Sequence, residues 1–308
     1  MSRLRSGLVF LAITLVVCGI AAVFGVAATQ DWVRRAATSG AGKALLGVPV
    51  DWELNFQAAG SPFARDLFRF HSLLFSVDLG ICSLVAVLLL YSVWRFRRSK
   101  NPVPSATTHN TPLEILWTLI PGLVLVGIAV PSFALVYRYN VIPPSAMTLK
   151  VTGHQWYWEY QYPTNGNLDI ISTIVPDAKL KLQQGQNSTR LLAVDNYAVL
   201  PIGTVIRIEL TGADVIHSFM VPSLGLQKYA IPGRINQIWT RIEHEGDYYG
   251  QCSQLCGQNH AFMPIGIRAV SKTAFAAWAN EQRQQQLSLL SPRGRRQDGL
   301  SPQQPAGG

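Results

Sequence analysis

Five side chains in the second half of the chain have the types and spacing for metal chemistry: His217, Cys252, Cys256, His260 and Met263. Four of them fall in the run GQCSQLCGQNHAFMP, residues 250–264. Two thiolates, two imidazoles and a thioether are soft and borderline donors, a set that selects copper over magnesium or calcium. A mononuclear blue-copper site uses two His, one Cys and a weak axial Met, so one thiolate is left over. Two thiolates bridging two coppers, with one His completing each metal, use the whole set, and such a pair can share a single electron. Two other readings stay open on these residues alone. In an oxidising compartment Cys252 and Cys256 could close a disulfide, which would leave His260 and Met263 unused. Cys2His2 is also a zinc set, although zinc has no need of Met263. Cys18 and Cys82 lie in apolar runs and read as small hydrophobic residues.

The elements that must hold these donors are short β-branched and aromatic runs from Met147 onward, at 148–152, 155–162, 190–194, 204–210, 235–242 and 265–270. Turn residues at 163–166, 212, 222–225 and 246 separate them, the pattern of a β-sandwich or barrel rather than of βαβ units. A closing helix is expected over 271–287. Residues 288–308, rich in Pro, Gly, Gln, Ser and Arg, are expected to be disordered.

Ahead of the β region stand three apolar runs, each near or above the roughly 20 residues that cross a bilayer core as helix. The first, with Arg3 and Arg5 before it and Gly25, Ala27 and Ala28 at its end, predicts a secretory signal over 1–28, cleaved or kept as an anchor. The others predict a two-helix transmembrane hairpin over 72–138, with 29–71 an exported N-terminal segment and 145–270 the β domain. The joint between the two helices carries Arg95, Arg97, Arg98 and Lys100, so the positive-inside rule puts it in the cytoplasm and the β domain outside. The chain is therefore expected to be a multi-pass membrane protein with its β domain exported to the outer face. Asp78 is the one charge inside the second run, and pairing within a helix bundle is expected of it.

The net charge of +9 could suggest nucleic acid, but residues 145–282 hold ten basic and ten acidic residues. The excess sits at the N-terminus, in the helix joint and in the tail, so no nucleic-acid partner is expected. No CxxCH for covalent haem occurs.

Over about residues 52–278 the chain resembles subunit II of haem-copper cytochrome c oxidase, of the bacterial type. The matching runs, in order, are EILWTLIP at 114–121, GHQWYWEYQY at 153–162, DVIHSFMVPSLG at 214–225, AIPGR at 230–234 and the cysteine run. The resemblance implies a mainly β, cupredoxin-like Greek-key barrel behind a transmembrane α-helical hairpin. It implies a dinuclear CuA copper centre on His217, Cys252, Cys256, His260 and Met263, with the backbone carbonyl of Gln254 as a weak ligand. Trp156 would be the aromatic through which cytochrome c delivers its electron, and Asp195 and Asp214 would belong to the docking face. Glu114 would open a proton path into the catalytic subunit. The function implied is the electron-accepting subunit of a respiratory oxidase that passes electrons from cytochrome c to haem in subunit I, where oxygen is reduced to water and protons are pumped. Oxidase subunits I and III would be its membrane partners.

The chain departs from that family at Gln254, where a Glu that binds a magnesium ion shared with subunit I is usual. An amide oxygen is a weaker ligand for a hard cation, which puts the magnesium in doubt. Gln227 and Tyr229 likewise stand where a Lys and an Asp are usual. Two rival readings are a quinol oxidase subunit, opposed by the full set of thiols and imidazoles, and a free-standing membrane-anchored copper carrier or redox sensor, opposed by the EILWTLIP run.

Overall fold

The computed structural model describes residues 56–103, 105–180 and 190–290; the signal expected over 1–28 and most of the tail lie outside them. Two compact units result, one formed by the apolar helices and one by the β domain.

In the helical unit, α1 spans Pro62–Arg95 and α2 spans Thr111–Asn140. Both are long and apolar enough to cross a membrane. α1 starts ten residues before the expected 72, and its beginning explains why. Ser61 caps it, accepting the Ala64 N–H at 3.0 Å, and Pro62 supplies a first helical residue with φ already set. α2 is capped by Asn110, whose Oδ1 accepts the Leu113 N–H at 3.3 Å, and Glu114 reaches back to the Asn110 N–H at 3.2 Å. Pro121 and Pro131 lie inside α2. At one end of the pair, Arg138 of α2 meets Asp66 of α1 at 3.1 Å.

The β unit is a sandwich of two five-stranded sheets. The first runs β3 (Leu168–Ser172), β2 (Tyr157–Tyr162), β1 (Met147–His154), β5 (Ile206–Gly212), β8 (Asn236–Thr240). The second runs β4 (Ala198–Pro201), β10 (Pro264–Val270), β9 (Gly246–Cys252), β6 (His217–Val221), β7 (Leu226–Ala230). Two pairs are parallel, β1 with β5 and β4 with β10, as crossovers between sheets require. In β1, β2 and β5 every second side chain is buried, so Leu149, Val151, Trp158, Tyr160, Ile206 and Ile208 line the space between the sheets. A single turn, α3 (Asp177–Leu180), interrupts the long connection after β3. The closing helix α4 spans Lys272–Leu290 and buries Phe275 and Ala279, with Trp278 edge-on to Tyr162 at 5.4 Å. Residues 288–290 are therefore helical, a correction to a tail starting at 288.

Five strands, β3, β4, β6, β7 and β9, lie outside the runs expected from sequence, and 190–194 is not a strand. That segment makes one isolated bridge, Val194 with Ile174. The missed strands lack regular alternation: β4 is buried throughout, and β6 and β9 each bury three consecutive residues. Buried on both faces, such strands lose the period-two signal. β6 and β9 are the strands that carry the metal-type side chains.

Candidate metal centre

The pairing of β6 with β9 brings the first donors together. Phe219 opposes Cys252 and Met220 opposes Gln251, which sets Cys252 beside His217, two residues back along β6. The strands come so close at Gly250 that a Cβ there would lie 2.0 Å from the Met220 carbonyl oxygen, so no other residue fits. After Cys252 the chain turns away, with the Ser253 N–H donating to the Ser218 carbonyl at 3.0 Å. Gly257 adopts φ +124°, a conformation open to glycine, and a one-turn 3-10 helix, His260–Phe262, returns the chain to β10 through Met263.

The sequence-predicted donors converge in this loop. The Cys256 sulfur lies 3.5 Å from His260 Nδ1, 3.5 Å from Met263 Sδ and 3.9 Å from the Cys252 sulfur. Cys252 Sγ lies 4.0 Å from His217 Nδ1 and 3.3 Å from the Gln254 carbonyl oxygen. Both cysteines are free thiols, and His217, Cys252 and Cys256 are all buried. The donor set fits a soft metal: both imidazoles turn Nδ1 toward a sulfur, and a thioether and a carbonyl close the rim.

His217 is held by its surroundings in the orientation a ligand needs. Its Nε2–H donates to Asp214 Oδ1 at 2.8 Å, which leaves the Nδ1 lone pair for the sulfur side. Trp158 packs edge-on against the ring at 5.9 Å, and the Trp158 indole N–H donates to the Met263 carbonyl at 3.2 Å. Behind the ring sits Gly153, where a Cβ would come within 2.9 Å of His217 carbons.

The charges answer one another. Burial works to raise the Cys252 thiol, but hydrogen bonding to His217 and to the Ser218 and Gln254 backbone lowers it to about 7. Burial and the neighbouring Cys252 thiolate push Cys256 up to about 12. The pair thus gives up one proton readily and holds the second until a cation displaces it. Against the effect of burial, hydrogen bonds from His217, Val215 and Gln155 hold Asp214 below the usual carboxylate range. Burial likewise works to lower His217, yet Cys252 and Asp214 raise it above the ordinary imidazole range.

The remaining sequence-predicted residues fall at different distances from this centre. Trp156 is half-buried, with its ring edge over the loop: a Cβ on Gly257 would lie 3.0 Å from Trp156 Cζ2. Asp214 is exposed, but both its oxygens are engaged, Oδ1 by His217 and the Val215 N–H, Oδ2 by the Gln155 N–H at 2.7 Å. Asp195 is exposed and clips a turn, accepting from the Thr173 N–H and hydroxyl and from the Asn196 N–H. Glu114 belongs to the helical unit, where it caps α2. The Gln254 side chain is partly exposed.

Sequence reading missed two residues that shape the centre, Gly153 and Gln155. Gln155 joins its halves: the side-chain amide donates to the Cys256 carbonyl at 2.8 Å while the backbone N–H holds Asp214. Its partner at Cys256 is 101 residues away, so no local spacing marks it. Both lie in the run GHQWYWEYQY, which was the available signal. Gln155→Leu removes the bond to the loop and keeps the backbone bond to Asp214. The expected result is metal lost to a competing chelator at roughly 10- to 100-fold lower chelator concentration, in line with the loss of an outer hydrogen bond. Unchanged retention would show that the loop holds its shape without it.

Comparison with known proteins agrees with this architecture. The family described as "Cytochrome C oxidase subunit II, periplasmic domain" matches residues 147–270, and "Cytochrome C oxidase subunit II, transmembrane domain" matches residues 49–135. The chain is 45% identical over 245 residues to the probable cytochrome c oxidase subunit 2 of Rickettsia felis, covering 80% of this chain and 76% of that one. It is 47% identical over 230 residues to that of Rickettsia prowazekii, covering 75% and 72%. Among solved structures, the periplasmic domain of subunit II of cytochrome oxidase (CoxB) of Bradyrhizobium japonicum is 46% identical, covers 47% of this chain and 99% of that chain, and superposes with a TM-score of 0.43. With both family regions matched in order on an apolar helix pair and a two-sheet β domain, the chain belongs to the cytochrome c oxidase subunit II family and is a subunit of a haem-copper terminal oxidase.

Proposed function

We propose that this chain is the electron-accepting subunit of the oxidase, taking single electrons from cytochrome c at a dinuclear CuA centre for delivery to haem in subunit I, where oxygen is reduced to water and protons are pumped. The observation that carries the reading is the convergence of both thiols, both imidazole Nδ1 atoms, the Met263 sulfur and the Gln254 carbonyl in one loop and strand pair. Cys252 and Cys256 would hold copper together with His217, His260, Met263 and the Gln254 carbonyl. Two copper ions held by these residues would supply storage of a single electron.

The protein's own part is to keep those donors fixed and dry. Burial of His217, Cys252, Cys256 and Met263 excludes water, and Asp214 fixes the His217 tautomer. Trp156 is assigned as the point where the electron arrives, since its ring borders Gly257, next to Cys256. Asp195 and Asp214 are assigned to the cytochrome docking face; both are exposed, and rim charges act mainly on the association rate. Glu114 is assigned as the entrance of a proton path; it borders, with Thr118, an otherwise largely apolar groove on α2.

The shared magnesium does not fit. A hard cation seeks carboxylate oxygens, and Gln254 offers a neutral amide. Among the described residues the one compact group of potential His, Cys, Asp or Glu ligands is His217, Cys252 and Cys256, a soft set. No role is assigned to magnesium.

The cations at Arg95, Arg97, Arg98 and Lys100 support a cytoplasmic helix joint, hence a periplasmic β domain in a bacterial inner membrane with subunits I and III. The domain division proposed is that of the sequence reading, with the helices and α4 bounded as observed.

The test is copper loading of the detergent-solubilised full chain, followed by metal analysis and EPR. Two coppers per chain with a delocalised mixed-valence signal are expected. One copper with a localised signal, or preference for zinc, would overturn the reading.

A further inference from the structure

Arg207 and Trp239 stand opposite each other on the outer face of the first sheet, and neither finds the partner its chemistry calls for. They are paired residues of β5 and the edge strand β8, so their Cβ atoms lie about 5 Å apart. Both side chains are half-buried. Arg207 Nε and Trp239 Nε1 are withdrawn from solvent and donate to nothing. Among the described residues the Arg207 guanidinium enters no hydrogen bond or ion pair. The neighbouring carboxylates are engaged elsewhere. Glu209 accepts from Gln237 at 3.0 Å, and Glu243 is shared between Arg65 at 2.9 Å and Arg241 at 3.8 Å. Two donors held out of water side by side are costly until an acceptor reaches them.

A stack of rings shows where that acceptor comes from. Trp239 lies on Tyr139 with centroids 5.5 Å apart, and Tyr139 lies on Phe63 at 4.0 Å. Phe63 stands in the first turn of α1, and Tyr139 in the last turn of α2, directly after the apolar run 115–137 and Arg138. As helix that run rises about 35 Å, against about 30 Å for a bilayer core, so Tyr139 reaches the headgroup layer, where Tyr and Trp gather. The stack therefore sets Arg207 and the Trp239 N–H at the depth of lipid phosphates. A guanidinium fork matches two phosphate oxygens, and its weak hydration suits a half-buried site.

We propose that Arg207 and Trp239 bind the phosphate of an anionic phospholipid in the leaflet that meets the β domain, the guanidinium and the indole N–H both donating to its oxygens while the acyl chains stay in the bilayer. Charge complementarity favours a lipid of net negative charge, since Arg65, Arg207 and Arg241 face a single carboxylate, Glu243. The inference rests on the helices crossing a membrane and not on the copper assignment.

The full chain, purified in detergent and freed of lipid, is titrated with phosphatidylglycerol and with diacylglycerol, which lacks the phosphate, and bound lipid is read by native mass spectrometry. One phosphatidylglycerol per chain is expected, held at least about tenfold more tightly than diacylglycerol. Arg207→Gln should weaken it at least about tenfold, and Trp239→Phe, which keeps the ring stack, by about two- to tenfold. Arg234→Gln removes an exposed cation from the turn before β8 and should change nothing. Equal binding of the two lipids, or unchanged binding in Arg207→Gln, would overturn the proposal; so would an equal loss in Arg234→Gln, which would mark diffuse charge attraction. Should Arg207→Gln fail to fold, Trp239→Phe decides, with parent-level binding overturning the proposal. Displacement of the lipid by excess inorganic phosphate would make free phosphate the ligand and overturn the lipid assignment. In the oxidase extracted from its own membranes, the lipid should be retained by the parent and lost in Arg207→Gln. Equal retention in both would mean that another subunit answers Arg207, and would overturn the proposal. None of these readouts depends on copper, so a failure here is distinct from a failure of the proposed electron relay.

Discussion

Replacing Cys256 by serine is expected to reduce bound copper from two per chain to one or none, abolish the delocalised EPR signal and slow the oxidation of reduced cytochrome c by more than about 100-fold, since loss of a ligand exceeds the loss of an outer hydrogen bond. The position explains the size of the effect. The Cys256 sulfur is the hub of the site, within 3.5 Å of His260 Nδ1 and Met263 Sδ and 3.9 Å from the other thiol. A serine hydroxyl is a hard donor that stays protonated at neutral pH, so it can neither bridge nor match a soft metal. Its shape is close to that of cysteine, and the fold should survive: a buried hydroxyl without a partner costs about 1–3 kcal/mol. Thermal unfolding of both proteins without metal checks this, because bound copper would itself stabilise the parent. Retention of two coppers in Cys256→Ser would exclude a thiolate-bridged pair.

The second large effect is expected from a residue that touches no metal. Gly153→Ala would set a methyl within 2.9 Å of the His217 ring, and His217 has nowhere to go, being fully buried with Trp158 against it and Asp214 holding Nε2. Overpacking of this kind costs about 1–3 kcal/mol. It should also swing Nδ1 off the sulfur side and lower copper affinity by at least about 10- to 100-fold, the range seen when the support of a ligand is lost. The backbone at Gly153 does not require glycine, so the effect is steric alone and separates from strain. Gly122→Ala, where a new Cβ would meet nothing within 4 Å, is the silent control. Copper retained against a chelator as firmly in Gly153→Ala as in the parent would show that the imidazole can move without cost.

The protein's local chemistry was legible in one dimension. Cys252, Cys256, His260 and Met263 lie within twelve residues, so a single loop had to hold them. The apolar spans with their flanking arginines were equally plain, because length and charge act through the chain's immediate neighbourhood. The closing helix and the alternating strands β1, β2 and β5 follow from periodicity for the same reason. Other features were settled only by the tertiary structure. β6 and β9 carry His217 and Cys252 yet are buried without alternation, and it is their pairing, Phe219 with Cys252, that closes a gap of 35 residues. Asp214, which the resemblance implies for a docking face, also holds His217, and Gln155 ties Asp214 to the cysteine loop. Gly153 is silent in sequence because its function is the space it leaves for an imidazole 64 residues further on. Spacing along the chain reports which donors one loop can hold; which side chains orient them depends on contacts between distant strands, and no local pattern encodes these.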